Sequence, residues 1–374
     1  MIEEFGEENY VRWLDDQNIA VRSMTEARRV VNTLTRSLSS QRLTVNSGKT
    51  KFLTPEKVLV HFQLDANAEI DSWDSKFKDF ENVSKARRAL NDLWQRISAE
   101  DNVQVGNWGK ILKRMYAAST KANSDLLERR ALEDLVEYPE LDERIFQYFA
   151  KRNRGDALLK LFSDYCAAGE NLFEGTESVF FESLLLLDPG VALAPKLRQL
   201  ALQFASASAL GQSGKPLGRA SALLAVYWLG ESGSALASIF NLEAARRLPK
   251  EVARAWIATV TALNPSLLRQ LQSKLVGHPS DDVARLSSFL SGLLNGTIGK
   301  LGNYKNQRSR WPLPGKFYDA RSWLTLHLAS SSLHEGLRAT LRRDLKSFQA
   351  LVRTIPEKRI AVTINRRLGR AGHP

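Results

Sequence analysis

The chain has 374 residues, with 53 lysines and arginines against 41 aspartates and glutamates, which gives a formal net charge of +12. This length allows two or three domains, and the basic surplus favours a polyanionic partner such as nucleic acid. The one cysteine, Cys166, excludes a disulfide framework and a thiolate zinc site. The acidic N terminus resembles no signal peptide, and the apolar run 222–229 is too short to cross a membrane, so we expect a cytoplasmic protein without membrane contact.

The first informative stretch is residues 10–21, where apolar residues alternate on both sides of Asp15 and Asp16. This alternation predicts a short antiparallel hairpin that carries both carboxylates at its tip. Two adjacent anions repel each other, and a hard divalent cation, Mg²⁺ above all, would relieve the repulsion. The alternative is that aspartate simply favours turns and that the pair is solvated.

A helix is predicted next, because Ser23 and Glu26 form a capping box at its start. We expect the helix to end near residues 39–40. Residues 43–46 then suggest the entry to a strand, and residues 48–51 a turn into another short strand. The apolar stripe of the helix comprises Ala27, Val30, Val31, Leu34 and Leu38.

The order of hairpin, helix and lysine-bearing turn resembles the second half of the palm domain of bacterial reverse transcriptases. This group includes the retron, group II intron and phage-defence enzymes. Trp13-Leu14-Asp15-Asp16 matches their aromatic-x-Asp-Asp motif, and residues 43–51 match a turn that ends in Lys-Thr-Lys. The match covers about the first fifth of the chain, and Trp13 stands where the family usually has tyrosine.

The resemblance implies a role for each matched residue. Asp15 would be a direct Mg²⁺ ligand and Asp16 a second ligand or close support. Lys49 would protonate the leaving pyrophosphate as a general acid, although most lysines are ordinary surface residues. Trp13 would lie near the primer end. The implied substrates are an RNA template, a DNA primer and deoxynucleoside triphosphates.

The family also needs an earlier palm aspartate and fingers residues, and residues 1–9 match neither. We therefore expect this chain to be the C-terminal portion of a longer or split enzyme. A separate N-terminal palm and fingers half would then be a partner. The chain alone is expected not to polymerise.

Residues 81–150 are predicted to be helical and to correspond to the thumb of the resembled enzymes. Lys110, Lys113 and Arg114 lie close to Trp108 and Tyr116, which suits a helix that faces phosphates. A solvated face of an ordinary helix is the equal alternative. Three apolar stripes support the helices: Ala86, Leu90, Leu93, Trp94 and Ile97; Trp108, Ile111, Leu112, Met115 and Tyr116; Leu127, Ala131, Leu132, Leu135 and Val136.

Beyond residue 155 the sequence predicts helices only, with glycine and proline breaks every 15 to 20 residues. Pairs of such helices would repeat about every 35 to 40 residues, as in HEAT-like solenoids. The loop 299–315 combines Lys305, Arg308 and Arg310 with two aromatic residues, which suits a single nucleic-acid strand. A connecting loop pinned by its aromatic side chains is the alternative. The expected breaks are 188–190, 211–218, 230–233, Pro249, Pro265 and Pro279.

Together these features predict a mainly α protein with a short α/β palm remnant, an all-α thumb and a HEAT-like helical repeat region. The expected domains are residues 1–54, 55–150 and 151–374. The leading hypothesis is that the chain is part of an Mg²⁺-dependent reverse transcriptase that is used in phage defence and forms homo-oligomers. The alternative is a non-catalytic nucleic-acid-binding or scaffold protein that retains a palm remnant.

Overall fold

A computed structural model shows a mainly helical protein with one two-stranded sheet near its N terminus, as predicted. The chain divides into two compact units, and the boundaries fall between Glu69 and Ile70, after Ser98 and after Trp108. The domain boundaries drawn from sequence stay predictions. The described residues are 9–13, 16–78, 82–99, 105–187, 194–206, 215–229, 248–263 and 266–294.

The first unit opens with the predicted antiparallel hairpin. Strand β1, Tyr10–Trp13, pairs with strand β2, Asp16–Ile19. The register sets Trp13 opposite Asp16, so that only two residues of the sequence connect the strands. Because side chains alternate along a strand, this register decides which residues share each face of the ribbon.

Helix α1, Met24–Ser40, begins with the predicted capping interaction and ends where expected. The Ser23 hydroxyl accepts a hydrogen bond from the amide of Glu26 at 3.2 Å, and the Glu26 carboxylate accepts one from the amide of Arg22 at 2.7 Å. These bonds satisfy amides that the first turn of a helix leaves unpaired. The buried members of the apolar stripe are Ala27 and Val30.

Helix α2, Pro55–Phe62, ends at Gln63, whose φ of 52° lies in the left-handed region. A loop from later in the chain docks on this helix end. The amide of Asn107 donates to the His61 carbonyl oxygen at 2.9 Å, and Gln63 Nε2 donates to the Val105 carbonyl oxygen at 3.0 Å. The loop thereby satisfies polar groups where the helix stops.

The three apolar stripes predicted between residues 81 and 150 lie on helices, except Leu127, which is buried in the turn before α6, and most of their residues face the interior. All five residues of the stripe on α5 are buried. In the other two stripes, Trp94 and Leu132 are half-buried, and Val136 is exposed. The helices are α3 Leu64–Lys76, α4 Val83–Ser98, α5 Trp108–Lys121, α6 Ala131–Glu137 and α7 Asp142–Lys151, with a 3₁₀ turn at Pro139–Leu141.

Beyond residue 151 the described part of the chain is helical and contains no strand, as predicted. A 3₁₀ turn at Leu184–Leu186 follows α9. The helices are α8 Gly155–Ala167, α9 Glu174–Ser183, α10 Ala194–Ser206, α11 Pro216–Trp228, α12 Lys250–Leu263, α13 Ser266–Leu275 and α14 Asp281–Leu294.

Several of these helices pack on the next helix but one along the chain. Helix α7 packs on α9, α9 on α11, and α12 on α14, while α11 packs on α12 across residues 230–247, which lie outside the described ranges. The result is a row of five helices, with the intervening helices beside it. Members of the row begin 31 to 42 residues apart, a range that includes the predicted helix-pair period, at Asp142, Glu174, Pro216, Lys250 and Asp281.

An aromatic cluster centred on Phe162 holds the start of this row together. The ring of Phe162 stacks on that of Phe180, with centroids 3.7 Å apart and planes 5° apart. Phe146, Phe181 and Phe204 meet Phe162 at centroid distances of 6.2, 6.0 and 5.7 Å. Since these rings come from α7, α8, α9 and α10, burying them joins four helices in one core.

Two local predictions are wrong. Residues 43–53 form no strand, because the described sheet contains only β1 and β2 and offers that segment no partner. Gly218 lies inside α11 and not in a break between helices. A residue with a side chain would not fit there, because its Cβ would collide with the carboxylate of Glu177. Pro249 and Pro279 do separate helices, whereas residues 188–190, 211–214, 230–233 and 265 lie outside the described ranges.

Among the helices of the described ranges, none combines the length and the apolar character needed to cross a bilayer.

Candidate functional site

The hairpin determines where one of the two predicted metal ligands, Asp16, lies along the backbone. Asp16 is the first residue of β2 and stands opposite Trp13 in the register. Asp15 lies outside the described residues, and the side chains of Trp13 and Asp16 are not described. The Tyr10 hydroxyl donates to Gln17 Oε1 at 3.2 Å across the two strands. This cross-strand bond stabilises the register that positions Asp16.

The turn predicted around Lys49 is present and is organised by Asn46. The amide of Lys49 donates to the carbonyl oxygen of Asn46 at 3.1 Å and to its side-chain oxygen at 3.3 Å. The Thr50 hydroxyl donates to the same carbonyl oxygen at 2.9 Å. These bonds fix the backbone of Lys49, while its side chain is exposed and can reach an anionic ligand.

The carboxylate side chains at the hairpin are of the type that suits Mg²⁺. This ion takes oxygen ligands and is commonly held by one or two carboxylates together with substrate phosphates. Asp15 and Asp16 would supply those two carboxylates. Within the described ranges, no group of three or more histidine, cysteine, aspartate or glutamate side chains is placed to hold a metal ion. The remaining ligands would therefore have to come from substrate, water or further residues.

The basic residues predicted on α5 fall into two kinds. Lys110 and Lys113 are exposed. Arg114 is half-buried and lies 2.5 Å from Asp71 Oδ1 and 3.9 Å from Asp74 Oδ2. It is therefore already paired with carboxylates, which weakens its case as a phosphate ligand. The two aromatic residues that were expected beside these cations are buried and cannot stack on bases: Trp108 and Tyr116.

Asp134, which the sequence patterns did not single out, forms the centre of a buried polar network. Its carboxylate accepts hydrogen bonds from the Tyr116 hydroxyl at 2.7 Å and from Arg130 Nε at 2.8 Å and Nη2 at 2.6 Å. The Arg130 guanidinium lies over the Trp94 ring, 5.0 Å from its centroid. The network joins α4, α5 and α6. Its only sequence signal is the i, i+4 spacing of Arg130 and Asp134.

The network also perturbs the protonation of its members. Burial, together with the charge and hydrogen bond of Asp134, raises the pKa of Tyr116 well above its usual value. Burial alone would lower the pKa of Arg130, but the hydrogen bonds and charge of Asp134 outweigh burial and raise this pKa above its ordinary value. Tyr116 therefore stays neutral and Arg130 stays charged, so that this network serves to stabilise the fold.

A second polar cluster surrounds Glu177, a fully buried residue of α9. Asn171 Nδ2 donates to Glu177 Oε1 at 2.7 Å, and Lys215 Nζ lies 3.5 Å from the same oxygen. Lys215 also donates to the Asn171 carbonyl oxygen at 2.7 Å. These partners offset part of the cost of desolvating the buried carboxylate.

The chain's single cysteine lies near this cluster and is expected to react slowly. Burial, together with the charge of Glu177, raises the pKa of Cys166 to about 11 from its ordinary value of 9.0. At pH 8 this rise in pKa lowers the thiolate fraction by about 100-fold. The reaction rate should fall by the same factor, because only the thiolate attacks. We expect labelling by an aromatic disulfide reagent at pH 8 to be about 100-fold slower in the native protein than in urea. Equal rates in the two conditions would contradict this prediction.

The three other residues predicted to bind nucleic acid, Lys305, Arg308 and Arg310, lie outside the described residues. Comparisons of the chain with protein-family models, with curated proteins and with solved structures gave no significant match.

Proposed function

We propose that this chain is the C-terminal portion of a reverse transcriptase, a nucleotidyltransferase that copies RNA into DNA in the cytoplasm and serves in antiviral defence. The observation that supports the proposal is the order of three elements. An antiparallel hairpin begins its second strand at Asp16, a capped helix follows, and an Asn46-centred turn then presents Lys49. Each element has the residue types that polymerase chemistry needs at that point.

The matched residues would divide the work of phosphoryl transfer. Asp15 and Asp16 would hold Mg²⁺, which supplies charge neutralisation at the nucleotide phosphates when it is bound. Lys49, exposed on its turn, would give a proton to the departing pyrophosphate. Trp13 would pack near the primer end, since the register sets it opposite Asp16.

The ligands of the complete enzyme would be an RNA template, a DNA primer and deoxynucleoside triphosphates. A separate palm and fingers half would supply the remaining metal ligand and the nucleotide grip. Lys110 and Lys113 on α5, both exposed, would contact the phosphates of the template–primer duplex. The row of helices beyond residue 142 would hold nucleic acid or form homo-oligomers.

The proposal predicts that polymerase activity requires both halves and both carboxylates. We expect the chain alone to incorporate no deoxynucleotide on a primed RNA template with Mg²⁺. Co-purification with the product of the reading frame directly upstream should restore incorporation. Asp15→Asn or Asp16→Asn in that complex should lower the rate by at least about 100-fold, because each removes a charged ligand.

Asp65→Asn is the matched control, since it removes an exposed carboxylate from the same unit and should leave the rate unchanged. A complex that stays fully active with both hairpin aspartates replaced would refute the proposal. Robust extension by the chain alone, abolished by Asp15→Asn, would refute the requirement for a second half.

The second candidate function is a non-catalytic scaffold that binds nucleic acid. The observation that favours it is the helix-on-helix row, which is typical of interaction proteins. This function predicts salt-sensitive binding of nucleic acid that does not change with Asp15→Asn or Asp16→Asn. Incorporation assays on the complex separate the two functions.

A further inference from the structure

Helix α1 has an exposed face that contains arginines and uncharged hydrogen-bond donors but no acid. Its buried residues, Ala27 and Val30, lie on one side. Arg29 and Arg36 are exposed on the opposite side, at 100° per residue, with Asn32 between them. Seven residues of helix separate the two arginine backbones by about 10.5 Å. The face therefore presents two positive charges in line along the helix axis.

Further cations lie in the segments that precede and follow this helix in the sequence. Residues 20–57 contain eight lysines and arginines and two glutamates, and all eight cations are exposed. The Glu26 carboxylate already binds the amide of Arg22 at the start of α1, and Glu56 occupies the first turn of α2. The eight cations are Arg22, Arg28, Arg29, Arg36, Arg42, Lys49, Lys51 and Lys57.

Within the described ranges, none of these eight cations lies within ion-pair distance of a carboxylate. The ion pairs recorded there belong to residues after position 70, for example Arg114 with Asp71 and Lys121 with Asp74. An incoming polyanion could therefore bind the α1 face without breaking an existing ion pair. Unpaired, exposed arginines next to hydroxyl and amide donors are the side chains that contact phosphates.

We propose that α1 binds the phosphate backbone of a nucleic-acid duplex through Arg29 and Arg36, with Arg28 and Asn32 beside them. The exposed face of the helix carries no aromatic residue on which a single strand could stack its bases. A membrane is disfavoured, because an interfacial helix inserts its apolar side, and here Ala27 and Val30 of that side are buried and the rest of its apolar stripe is half-buried in the protein. Binding through arginines to phosphates predicts a sequence-independent, salt-sensitive contact.

The inference shares a nucleic-acid ligand with the proposed function but requires neither Mg²⁺ nor the hairpin carboxylates. The test uses the full chain and a fluorescent duplex titrated between about 50 and 200 mM salt. Arg29→Ala with Arg36→Ala should weaken binding about 10- to 100-fold near 0.1 M salt and reduce the slope of log affinity against log salt by about 2. Alanine favours the helix, so the fold should be kept, as circular dichroism can verify.

Arg88→Ala with Arg96→Ala on α4 is the matched control. These two arginines are also exposed and lie eight residues apart on a helix, but the exposed Asp92 stands between them on the same face. Binding should change by less than about threefold, because that acid offsets the attraction for phosphate. Equal losses in both double variants would show that only net charge matters and would overturn the proposal.

Two further results would also overturn it: unchanged duplex binding by the Arg29/Arg36 variant, or tighter binding of phosphatidylserine vesicles than of the duplex by the unaltered chain. Duplex binding is measured without Mg²⁺ and without nucleotides, so its outcome does not depend on the hairpin carboxylates. Failure of the polymerase proposal in the incorporation assay is therefore distinguishable from failure of this one.

Discussion

Asp134→Ala is expected to lower the free energy of unfolding by about 3 to 5 kcal/mol. The substitution leaves the Arg130 guanidinium without its carboxylate and the Tyr116 hydroxyl buried without its acceptor. The Tyr116 hydroxyl is fully buried and the Arg130 side chain is partly buried, so neither recovers its full hydration when Asp134 is lost. Urea unfolding followed by far-ultraviolet circular dichroism measures the loss.

Two companion variants separate the charge from the hydrogen bond. Tyr116→Phe removes one donor and should cost about 1 to 2 kcal/mol. Arg130→Ala combined with Asp134→Ala should recover part of the loss, because it removes the uncompensated cation. If Asp134→Ala cost no more than Tyr116→Phe, the network would not have the stabilising role assigned to it.

Gly106→Ala is expected to destabilise the first unit by about 2 to 5 kcal/mol. Gly106 has a φ of 64°, which side-chain-bearing residues adopt only with strain. An added Cβ would also lie 2.7 Å from the Cα of His61 and closer still to its carbonyl oxygen. Backbone atoms cannot move aside as a flexible side chain can, so the loop must leave the end of α2.

Gly169→Ala is a control that isolates the backbone strain. Its φ of 76° is similar, but nothing lies within 4 Å of the added Cβ. This variant should cost only about 1 to 2 kcal/mol. Hydrogen exchange gives a local readout, and protection of residues 55–62 should fall in Gly106→Ala alone. Similar effects of the two variants would contradict the predicted collision with His61.

Local patterns predicted the elements well, because each depended on forces acting within a few residues. The Ser23 capping interaction and the buried stripe of α5 both form as expected. The hairpin forms as expected because its pairing needs only two segments that are close in sequence, residues 10–13 and 16–19.

The failures all depend on partners distant in sequence. Residues 43–53 have strand-like residues but no neighbouring strand. Gly218 was expected in a break between helices, but it lies inside α11. Glu177, some forty residues earlier, leaves no room for a side chain there. The ion pair of Arg114 also depends on a distant partner, because Asp71 lies 43 positions away in sequence and 2.5 Å away in space. Periodicity and composition carry no information about such contacts.

The row of helices α7, α9, α11, α12 and α14 has a consequence for how the protein unfolds. In the described ranges, each member packs mainly on the next, so cohesion passes from neighbour to neighbour as in a linear chain of coupled units. Damage at α14 should therefore loosen α12 before it reaches α7. Stepwise loosening along the described helices, and not one concerted transition, would then set the sensitivity of this region to proteases.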